Sequence, residues 1–257
     1  MTLSLVFGTV DSWQAALVFD DRHFVAGFYD SLNRPNLQGA IATVQVNEVR
    51  GPQAFATLPD GEEGWLEKQK NIKGGDRLAV RVGAYVVPGK AWPLKVLDNG
   101  APAGVVAWHD AAPSVAERAA KLYNIDTSMM SQDDDLIVDT LALHQGRENL
   151  KDGASLVIEQ TVALTTIDIN TGRLLGAANI IGECGGGIAE TLRRYDLGGM
   201  IVIDAAFLAP SARRGLADKV SKQLADDPLQ PKVISVTKMG LIEIIRPRMG
   251  PSLLEIL

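Results

Sequence analysis

The chain has 257 residues, of which 46% are hydrophobic and 22% are charged, and its formal net charge at pH 7 is −6. This length and apolar content suffice for one large core or two modest ones, and the mixed charge argues against an intrinsically disordered chain. The acidic balance argues against a protein that holds nucleic acid through bulk positive charge, so a nucleic-acid binder of this composition needs basic residues placed locally.

The N-terminal sequence and the cysteine content narrow the class of protein further. The first ten residues contain no basic leader, and Asp11, Asp20 and Asp21 follow soon after, so we expect neither a signal peptide nor a membrane span. We therefore expect a cytoplasmic protein without a membrane partner. The lone cysteine, Cys184, cannot form an intrachain disulfide or a multi-cysteine zinc site, and we expect it to be a small structural residue.

The first part of the chain reads as short β-strands separated by turns. Between Leu3 and about Val96, apolar segments alternate with turn-forming sequences that contain Asn, Asp, Pro and Gly. From residue 37 onward the residues alternate between two faces: Ala40, Ala42, Val44 and Val46 on one, and Ile41, Thr43, Gln45 and Asn47 on the other. We predict a β-rich region over residues 1–97 that contains a small barrel from about residue 37 to residue 97.

The central part of the chain, residues 98–150, has a different character. It contains a helix candidate from Ser114 to Tyr123, and a polar run that ends in Asp133-Asp134-Asp135. We interpret those aspartates as a solvated charge run before the helix-like segment Leu136 to Leu143. The whole stretch is predicted to be a linker with helical segments.

The last part of the chain, residues 151–257, has the pattern of an α/β domain. The order is strand, strand, helix, strand, helix, strand, and the corresponding segments are Ser155 to Gln160, Val162 to Ile169, Ile188 to Arg194, Met200 to Ile203, Ser211 to Asp226 and Val233 to Val236.

Two apolar strand candidates of this domain each end in an aspartate, Asp168 and Asp204. Ligands gather at the carboxyl ends of strands in α/β sheets, so these two carboxylates can converge on one hard divalent cation. Asn170 lies two residues beyond Asp168, on the same face if the strand continues, where its amide could position a phosphate or a water. Such a site could hydrolyse a phosphodiester without a nucleophilic side chain. The alternative is that each aspartate merely caps a turn.

Other candidate groups in the sequence give weaker signals. The histidines His23, His109 and His144 are scattered, and no serine lies in a nucleophile elbow. The glycine run from Gly182 to Gly187 precedes a helix candidate, where a loop could cradle the phosphate of a small molecule or nucleotide. Because the run fits neither the Walker nor the Rossmann spacing, we expect a flexible or shortened loop there.

The predicted barrel carries aromatic residues that could bind a single-stranded nucleic acid. Phe55 and Trp65 lie in or beside strands, and Lys90 follows a turn at Val87-Pro88-Gly89. Aromatic platforms combined with a cation are the means by which oligonucleotide-binding barrels hold single strands. Packing in the core is the alternative for each aromatic ring.

Several segments together resemble the ribonuclease E/G family. Residues 156–161 read LVIEQT and residues 163–172 read ALTTIDINTG, which resembles that family's catalytic segment. Residues 195–204, YDLGGMIVID, are similar to its second metal-ligand strand. Residues 240–246, GLIEIIR, with Pro251-Ser252-Leu253, match the end of its nuclease domain. Upstream, Gly39 to Glu67 resembles its oligonucleotide-binding barrel.

The resemblance implies an oligonucleotide-binding barrel followed by a deoxyribonuclease-I-like α/β subdomain. It implies that Asp168 and Asp204 bind Mg²⁺, or Mn²⁺ in its place, with Asn170 as the accompanying asparagine. It also implies that Phe55, Trp65 and Lys90 contact RNA, although Trp65 stands where a phenylalanine is more usual. The function implied is cleavage of single-stranded RNA in RNA processing, including rRNA processing, or in decay, with a 5′ phosphate left on the product.

The sequence departs from the family in three places. Residues 99–150 are too short for the family's full 5′-end-sensing domain, and the zinc-linking cysteine pair is absent. We therefore expect no zinc, and either a monomer or an oligomer that is not linked through zinc. Between Gly172 and Asp196 the glycine run replaces the family's asparagine-rich segment. These departures leave a catalytically inactive RNA-binding protein of the same fold as the alternative function.

Overall fold

The computed structural model describes residues 2–67, 72–97 and 104–256, which form two compact units. One unit combines residues 1–33 with residues 115–257, and the other comprises residues 34–114. Among the described residues, no helix has the length and apolar character needed to cross a lipid bilayer.

The main strands and helices of the described chain follow in sequence order. The strands are β1 (Leu3–Val10), β2 (Trp13–Asp20), β3 (His23–Ser31), β4 (Ile41–Arg50), β5 (Gln53–Thr57), β6 (Glu63–Glu67), β7 (Arg77–Val82), β8 (Trp92–Val96), β9 (Ala107–Asp110), β10 (Met130–Gln132), β11 (Arg147–Asn149), β12 (Ser155–Gln160), β13 (Thr165–Asn170), β14 (Gly199–Asp204), β15 (Lys232–Val236) and β16 (Leu241–Arg246). The helices are α1 (Val115–Tyr123), α2 (Asp134–Leu141), α3 (Ala177–Arg194) and α4 (Pro210–Gln223).

The unit of residues 34–114 is a closed five-stranded barrel. Its strands pair in the order β4, β5, β6, β8, β7 and back to β4, while β9 adds to β4 as a sixth strand. The alternation predicted for β4 is present, because Ala42, Val44 and Val46 are buried in the barrel core. Thr43, on the opposite face, is also buried, and its Oγ1 lies 2.8 Å from Nε2 of His109 on β9.

The N-terminal strands β1, β2 and β3 form an antiparallel meander, and β10 pairs with β1 in parallel. One face of the meander packs on α1, through residues such as Ala16 and Ala119. The other face shares a core with α2 and with the sheet of the α/β region, through residues such as Leu17 and Ile137. The meander is thus buried on both sides, which explains the continuous apolar run of β2.

This packing differs from the predicted division at residues 97 and 150. Residues 1–33 fold with the C-terminal half of the chain rather than with the barrel. Residues 115–150 are not a linker, because they supply α1, β10, α2 and β11 to that unit. The reason is that the meander needs apolar cover on two faces, and α1 and α2 provide part of it.

The α/β region contains a six-stranded sheet in the order β11, β12, β13, β14, β16, β15. Strands β13 and β14 run parallel, whereas their outer neighbours pair with them antiparallel. Isoleucines at alternate positions of β13, β14 and β16 point to a core shared with α3 and α4; they are Ile167, Ile169, Ile201, Ile203, Ile242 and Ile244. The predicted order of a barrel followed by an α/β subdomain is confirmed.

The glycine run at residues 182–187 lies inside α3, and the prediction of a loop there was wrong. Tertiary contacts explain two of the four glycines. A Cβ atom on Gly185 would lie 2.4 Å from Cγ of Lys219 on α4, and one on Gly187 would lie 2.6 Å from Cδ2 of Leu150. The helix continues through these residues because their small size lets neighbouring elements approach it closely. Its backbone amides are committed to the helix, so the run cannot cradle a phosphate as a loop would.

A matched pair of alanine substitutions tests this role of the glycines. A Cβ on Gly186 would meet no atom within 4 Å, so Gly186→Ala should raise the free energy of unfolding by about 0.5–1 kcal/mol through helix propensity. Gly185→Ala should instead lower it, because the Lys219 side chain, whose Cγ and Cβ would lie 2.4 and 3.1 Å from the added methyl group, must shift to admit it. Thermal denaturation of both variants measures the difference, and equal shifts would contradict close packing at Gly185.

Candidate functional site

The two predicted metal-binding aspartates lie side by side on the open face of the α/β sheet. Asp168 on β13 and Asp204 on β14 are directly opposed in the parallel ladder, at the carboxyl ends of both strands. Neighbouring strands are about 4.8 Å apart, so the two side chains leave the sheet next to each other. Both residues are exposed, whereas the flanking Ile167 and Ile203 are fully buried. The alternation of each strand thus directs the carboxylates away from the helices.

The pairing of two carboxylates is unfavourable without a cation. Like charges directly opposed on neighbouring strands destabilise a sheet by up to about 1 kcal/mol. Within the described parts of the chain, neither Asp168 nor Asp204 forms a salt bridge that would offset this repulsion. The arrangement is therefore better suited to a bound cation than to stabilising the fold.

The immediate neighbours hold the two carboxylates in place. The amide Nδ2 of Asn170 donates to Oδ2 of Asp168 at 3.4 Å, so the predicted asparagine joins the pair. The backbone N–H of Ala206 donates to Oδ1 of Asp204 at 2.8 Å. The structure therefore brings together Asp168, Asn170 and Asp204, and it leaves the second oxygen of each aspartate available to a ligand.

The loops that follow the two strands are held by close packing. Gly172, just beyond Asn170, has φ +56°, and a Cβ there would lie 2.4 Å from the carbonyl carbon of Gly153. Gly240, in the turn between β15 and β16, has φ +96°, and a Cβ there would lie 2.7 Å from Cα of Ala206. Only glycine meets both requirements at these positions, so both loops are fixed close to the carboxylates.

The oxygen atoms of Asp168 and Asp204 are a donor set that suits a hard divalent cation. Mg²⁺ prefers oxygen ligands, and it is commonly held by one or two carboxylates together with water and substrate phosphate oxygens. Across the described ranges, no group of three or more His, Cys, Asp or Glu is arranged to hold a metal ion. Asp168 and Asp204 would thus supply two ligands, and water or phosphate would have to complete the coordination shell.

The aromatic residues predicted to bind RNA form a pair on the barrel. Phe55 on β5 and Trp65 on β6 are directly opposed in the antiparallel ladder. Both rings are half-buried, while the neighbouring Ala54 and Leu66 fill the barrel core, so the rings lie on its outer face. The guanidinium of Arg50 lies 5.5 Å from the centre of the Phe55 ring. Two adjacent rings with a cation nearby form a surface on which bases can stack.

The predicted lysine lies on the same barrel. Lys90 is exposed in the turn that leads into β8, where its backbone N–H donates to the carbonyl of Val87 at 3.2 Å. Strand β8 pairs with β6, with Pro93 next to Trp65. Among the described residues, no hydrogen bond or ring contact joins the Lys90 side chain to either ring.

The remaining candidates have structural partners. The ring of His144 lies 2.5 Å from a carboxylate oxygen of Glu148, and that of His23 lies 3.2 Å from the Arg194 guanidinium. Asp133 caps α2 by accepting from the Leu136 N–H at 2.9 Å. Cys184 is buried, and burial raises the pKa of its thiol to about 11, with a smaller effect from the charge of Glu183.

Two pockets are lined in part by residues that come soon after β13 and β14 in the sequence. The first, of about 520 Å³, has both basic and acidic residues in its lining, and Lys151 lies 3.8 Å from Glu183 within it. The second, of about 490 Å³, is lined by Pro210, Arg213, Arg214, Val236, Thr237 and Lys238. We call the second the basic pocket. Sequence reasoning missed it, although the consecutive arginines shortly after Asp204 were a signal.

Comparison with known proteins relates the chain to ribonucleases. The model of the ribonuclease E/G family matches residues 108–249, more than half of the chain. Ribonuclease G from Haemophilus influenzae is 37% identical over 119 residues, which cover 43% of this chain and 24% of that relative. Ribonuclease E from Escherichia coli K12 is 34% identical over 119 residues, or 43% of this chain and 11% of that relative.

The similarity covers only a small part of the length of each relative. Ribonuclease G from Escherichia coli K12 is 34% identical over 116 residues, which cover 42% of this chain and 24% of that relative. The aligned segment thus spans no more than 24% of these three proteins. The family match nevertheless includes Asp168, Asn170 and Asp204. The chain belongs to the ribonuclease E/G family.

Proposed function

We propose that this protein is a metal-dependent endoribonuclease that cleaves single-stranded RNA in RNA processing or decay. The observation that carries the proposal is the direct opposition of Asp168 and Asp204 at the carboxyl ends of two parallel strands. Relatives that are named ribonuclease G and ribonuclease E support the choice of RNA as substrate.

In the proposed mechanism, Asp168 and Asp204 hold Mg²⁺ or Mn²⁺ near the carboxyl ends of β13 and β14. When bound there, the ion would polarise a phosphate oxygen and lower the pKa of a water molecule that attacks the phosphodiester. The Ala206 N–H fixes one oxygen of Asp204, so the other is oriented for the ion. The Asn170 amide, beside Asp168, can donate to a phosphate oxygen of the RNA. Attack of the water oxygen on phosphorus would break the bond between phosphorus and the 3′ oxygen, which would leave a 5′ phosphate on one product and, after the 3′ oxygen takes a proton from water, a 3′ hydroxyl on the other.

In the same proposal, the barrel binds the single strand through Phe55 and Trp65, with Lys90 contacting the phosphate backbone. Stacking on an aromatic ring tolerates any base, and a duplex does not expose its base faces in this way. The barrel therefore accounts for a preference for single strands without requiring a particular sequence.

The aromatic platform makes a prediction about affinity. Phe55→Ala should weaken the binding of single-stranded RNA by about 1–3 kcal/mol for the base that stacks on this ring. Phe55→Tyr keeps the ring and should bind like the wild type. Fluorescence anisotropy in EDTA measures binding without cleavage, and circular dichroism checks that the barrel remains folded. Unchanged affinity for Phe55→Ala would assign this ring to packing alone.

The experiment that tests the proposed function uses the full chain with an end-labelled single-stranded RNA. With Mg²⁺ we expect internal cleavage, products that carry a 5′ phosphate, and slower cleavage of a duplex of the same sequence; EDTA should abolish the activity. Binding of the RNA without cleavage in Mg²⁺ or Mn²⁺ would instead favour a catalytically inactive RNA-binding protein of the same fold.

A further inference from the structure

The basic pocket carries positive charge without a matching negative charge. Among the residues that the structure describes, its lining includes Arg213, Arg214 and Lys238 and contains no aspartate or glutamate. In a chain of net charge −6, three cations that line one pocket are a local exception. The first pocket differs, because Lys151 and Arg173 there are accompanied by Asp152 and Glu183. Of the two, the basic pocket is thus the one suited to an anion.

The three cations have different roles in the pocket. Arg213 is half-buried, and its guanidinium donates to the carbonyl of Leu208 at 2.7 Å and to that of Ala206 at 2.5 Å. Arg214 and Lys238 are exposed, and their side chains have no hydrogen bond or ion pair within the described segments of the chain. Arg213 therefore shapes the pocket, while Arg214 and Lys238 have donors available for a ligand.

The pocket is close to the metal-binding pair. Ala206 accepts from Arg213 through its carbonyl and donates to Asp204 through its N–H, at 2.5 and 2.8 Å respectively. One residue and two hydrogen bonds therefore separate the Arg213 guanidinium from the Asp204 carboxylate, a distance of at most about 10 Å. A stacked nucleic-acid strand rises about 3.4 Å per nucleotide, so it covers this distance with at most about three nucleotides.

We propose that the basic pocket binds an internal backbone phosphate of the RNA, adjacent to the phosphodiester that is cleaved at Asp168 and Asp204. The inference rests on the proposed function, because it places the strand across that pair. Arg214 and Lys238 contact the phosphate, and Arg213 holds the loop between the pocket and Asp204. The contact is made to a charged oxygen of the backbone, so it does not depend on the base.

The test measures binding of single-stranded RNA by fluorescence anisotropy in EDTA, which keeps its outcome separate from cleavage. The variant is Arg214→Ala with Lys238→Ala. The control is Lys222→Ala with Lys232→Ala, which changes the net charge equally at exposed positions outside the pocket. We expect the dissociation constant to rise about tenfold in the pocket variant. The slope of log K against log salt should fall by roughly 0.7 for the lost phosphate contact, and the control should resemble the wild type.

A second comparison identifies the source of the phosphate. RNA with a 5′ hydroxyl and RNA with a 5′ monophosphate should lose affinity equally in the pocket variant, because the bound phosphate is internal. A loss confined to the 5′-phosphorylated RNA would overturn the proposal in favour of a terminal phosphate. Equal affinity of the pocket variant and the control would overturn it altogether. If the wild type binds RNA but does not cleave it, the proposed function fails, and the binding comparison still decides the role of the pocket.

Discussion

Asp204→Asn should reduce the rate of RNA cleavage by at least about 100-fold while leaving the protein folded. The substitution replaces one of two carboxylate ligands by a neutral amide, and a catalytic ion contributes several kcal/mol to transition-state stabilisation. The fold should not suffer, because the substitution removes the repulsion between opposed carboxylates on β13 and β14. In EDTA, we expect the free energy of unfolding to rise by up to about 1 kcal/mol.

The control for this prediction is Asp218→Asn on α4, which removes the same charge from an exposed position outside the pair. It should retain the cleavage rate of the wild type. Asp168→Asn should behave like Asp204→Asn in single-turnover cleavage at saturating Mg²⁺. Cleavage by either variant at more than a tenth of the wild-type rate would be incompatible with a two-aspartate metal site.

Arg246→Met should lower the free energy of unfolding of the unit formed by residues 1–33 and 115–257 by about 3–5 kcal/mol at pH 7. Arg246 is 1% exposed, and its guanidinium bonds Asp196 at 2.8 Å and Asp227 at 3.1 Å. Both aspartates are also buried, so the variant would leave two buried carboxylates without a cation. Chemical denaturation measures the loss, and Arg173→Met provides the control at an exposed arginine of the same unit.

The loss should be smaller at pH 5 than at pH 7. Burial raises the pKa of Asp196 to about 6, against a lowering effect of Arg246, so removal of the arginine raises that pKa further. A carboxyl group whose pKa is higher in the folded state stabilises the fold below its unfolded pKa, and this contribution is lost as pH rises through the folded value.

Adding Asp196→Asn and Asp227→Asn to Arg246→Met should restore much of the stability at pH 7. No recovery in that triple variant would mean that lost packing, rather than unpaired charge, dominates.

The sequence predicted that Asp168 and Asp204 lie close together because local patterns carried the necessary information. Two apolar strand candidates each ended in an aspartate, Asp168 and Asp204, although β13 itself continues to Asn170. Ligands gather at the carboxyl ends of strands in such sheets, so both aspartates were expected there. The parallel ladder pairs Asp168 directly with Asp204. The opposition of Phe55 and Trp65 depends on the register of a hairpin, which periodicity does not specify by itself.

Features that depend on long-range contacts could not be predicted in the same way. The glycines of α3 suggested a loop, because the side chains that require their small size, Lys219 and Leu150, lie on other elements. The meander of β1 to β3 packs with residues that come more than a hundred positions later in the sequence, after the segment that forms the barrel. The basic pocket likewise combines the start of α4 with the end of β15 and the turn that follows it. Each of these features is set by tertiary packing rather than by local pattern.

The central claim is that Asp168 and Asp204 form a divalent metal site, and Mn²⁺ binding tests it without RNA or turnover. Electron paramagnetic resonance of free Mn²⁺, titrated into the full chain, should detect about one bound ion per chain. This binding should be lost in the Asp168→Asn, Asp204→Asn double variant and retained in Asp218→Asn. If the double variant bound Mn²⁺ with the stoichiometry and affinity of the wild type, the two aspartates would not be the metal site.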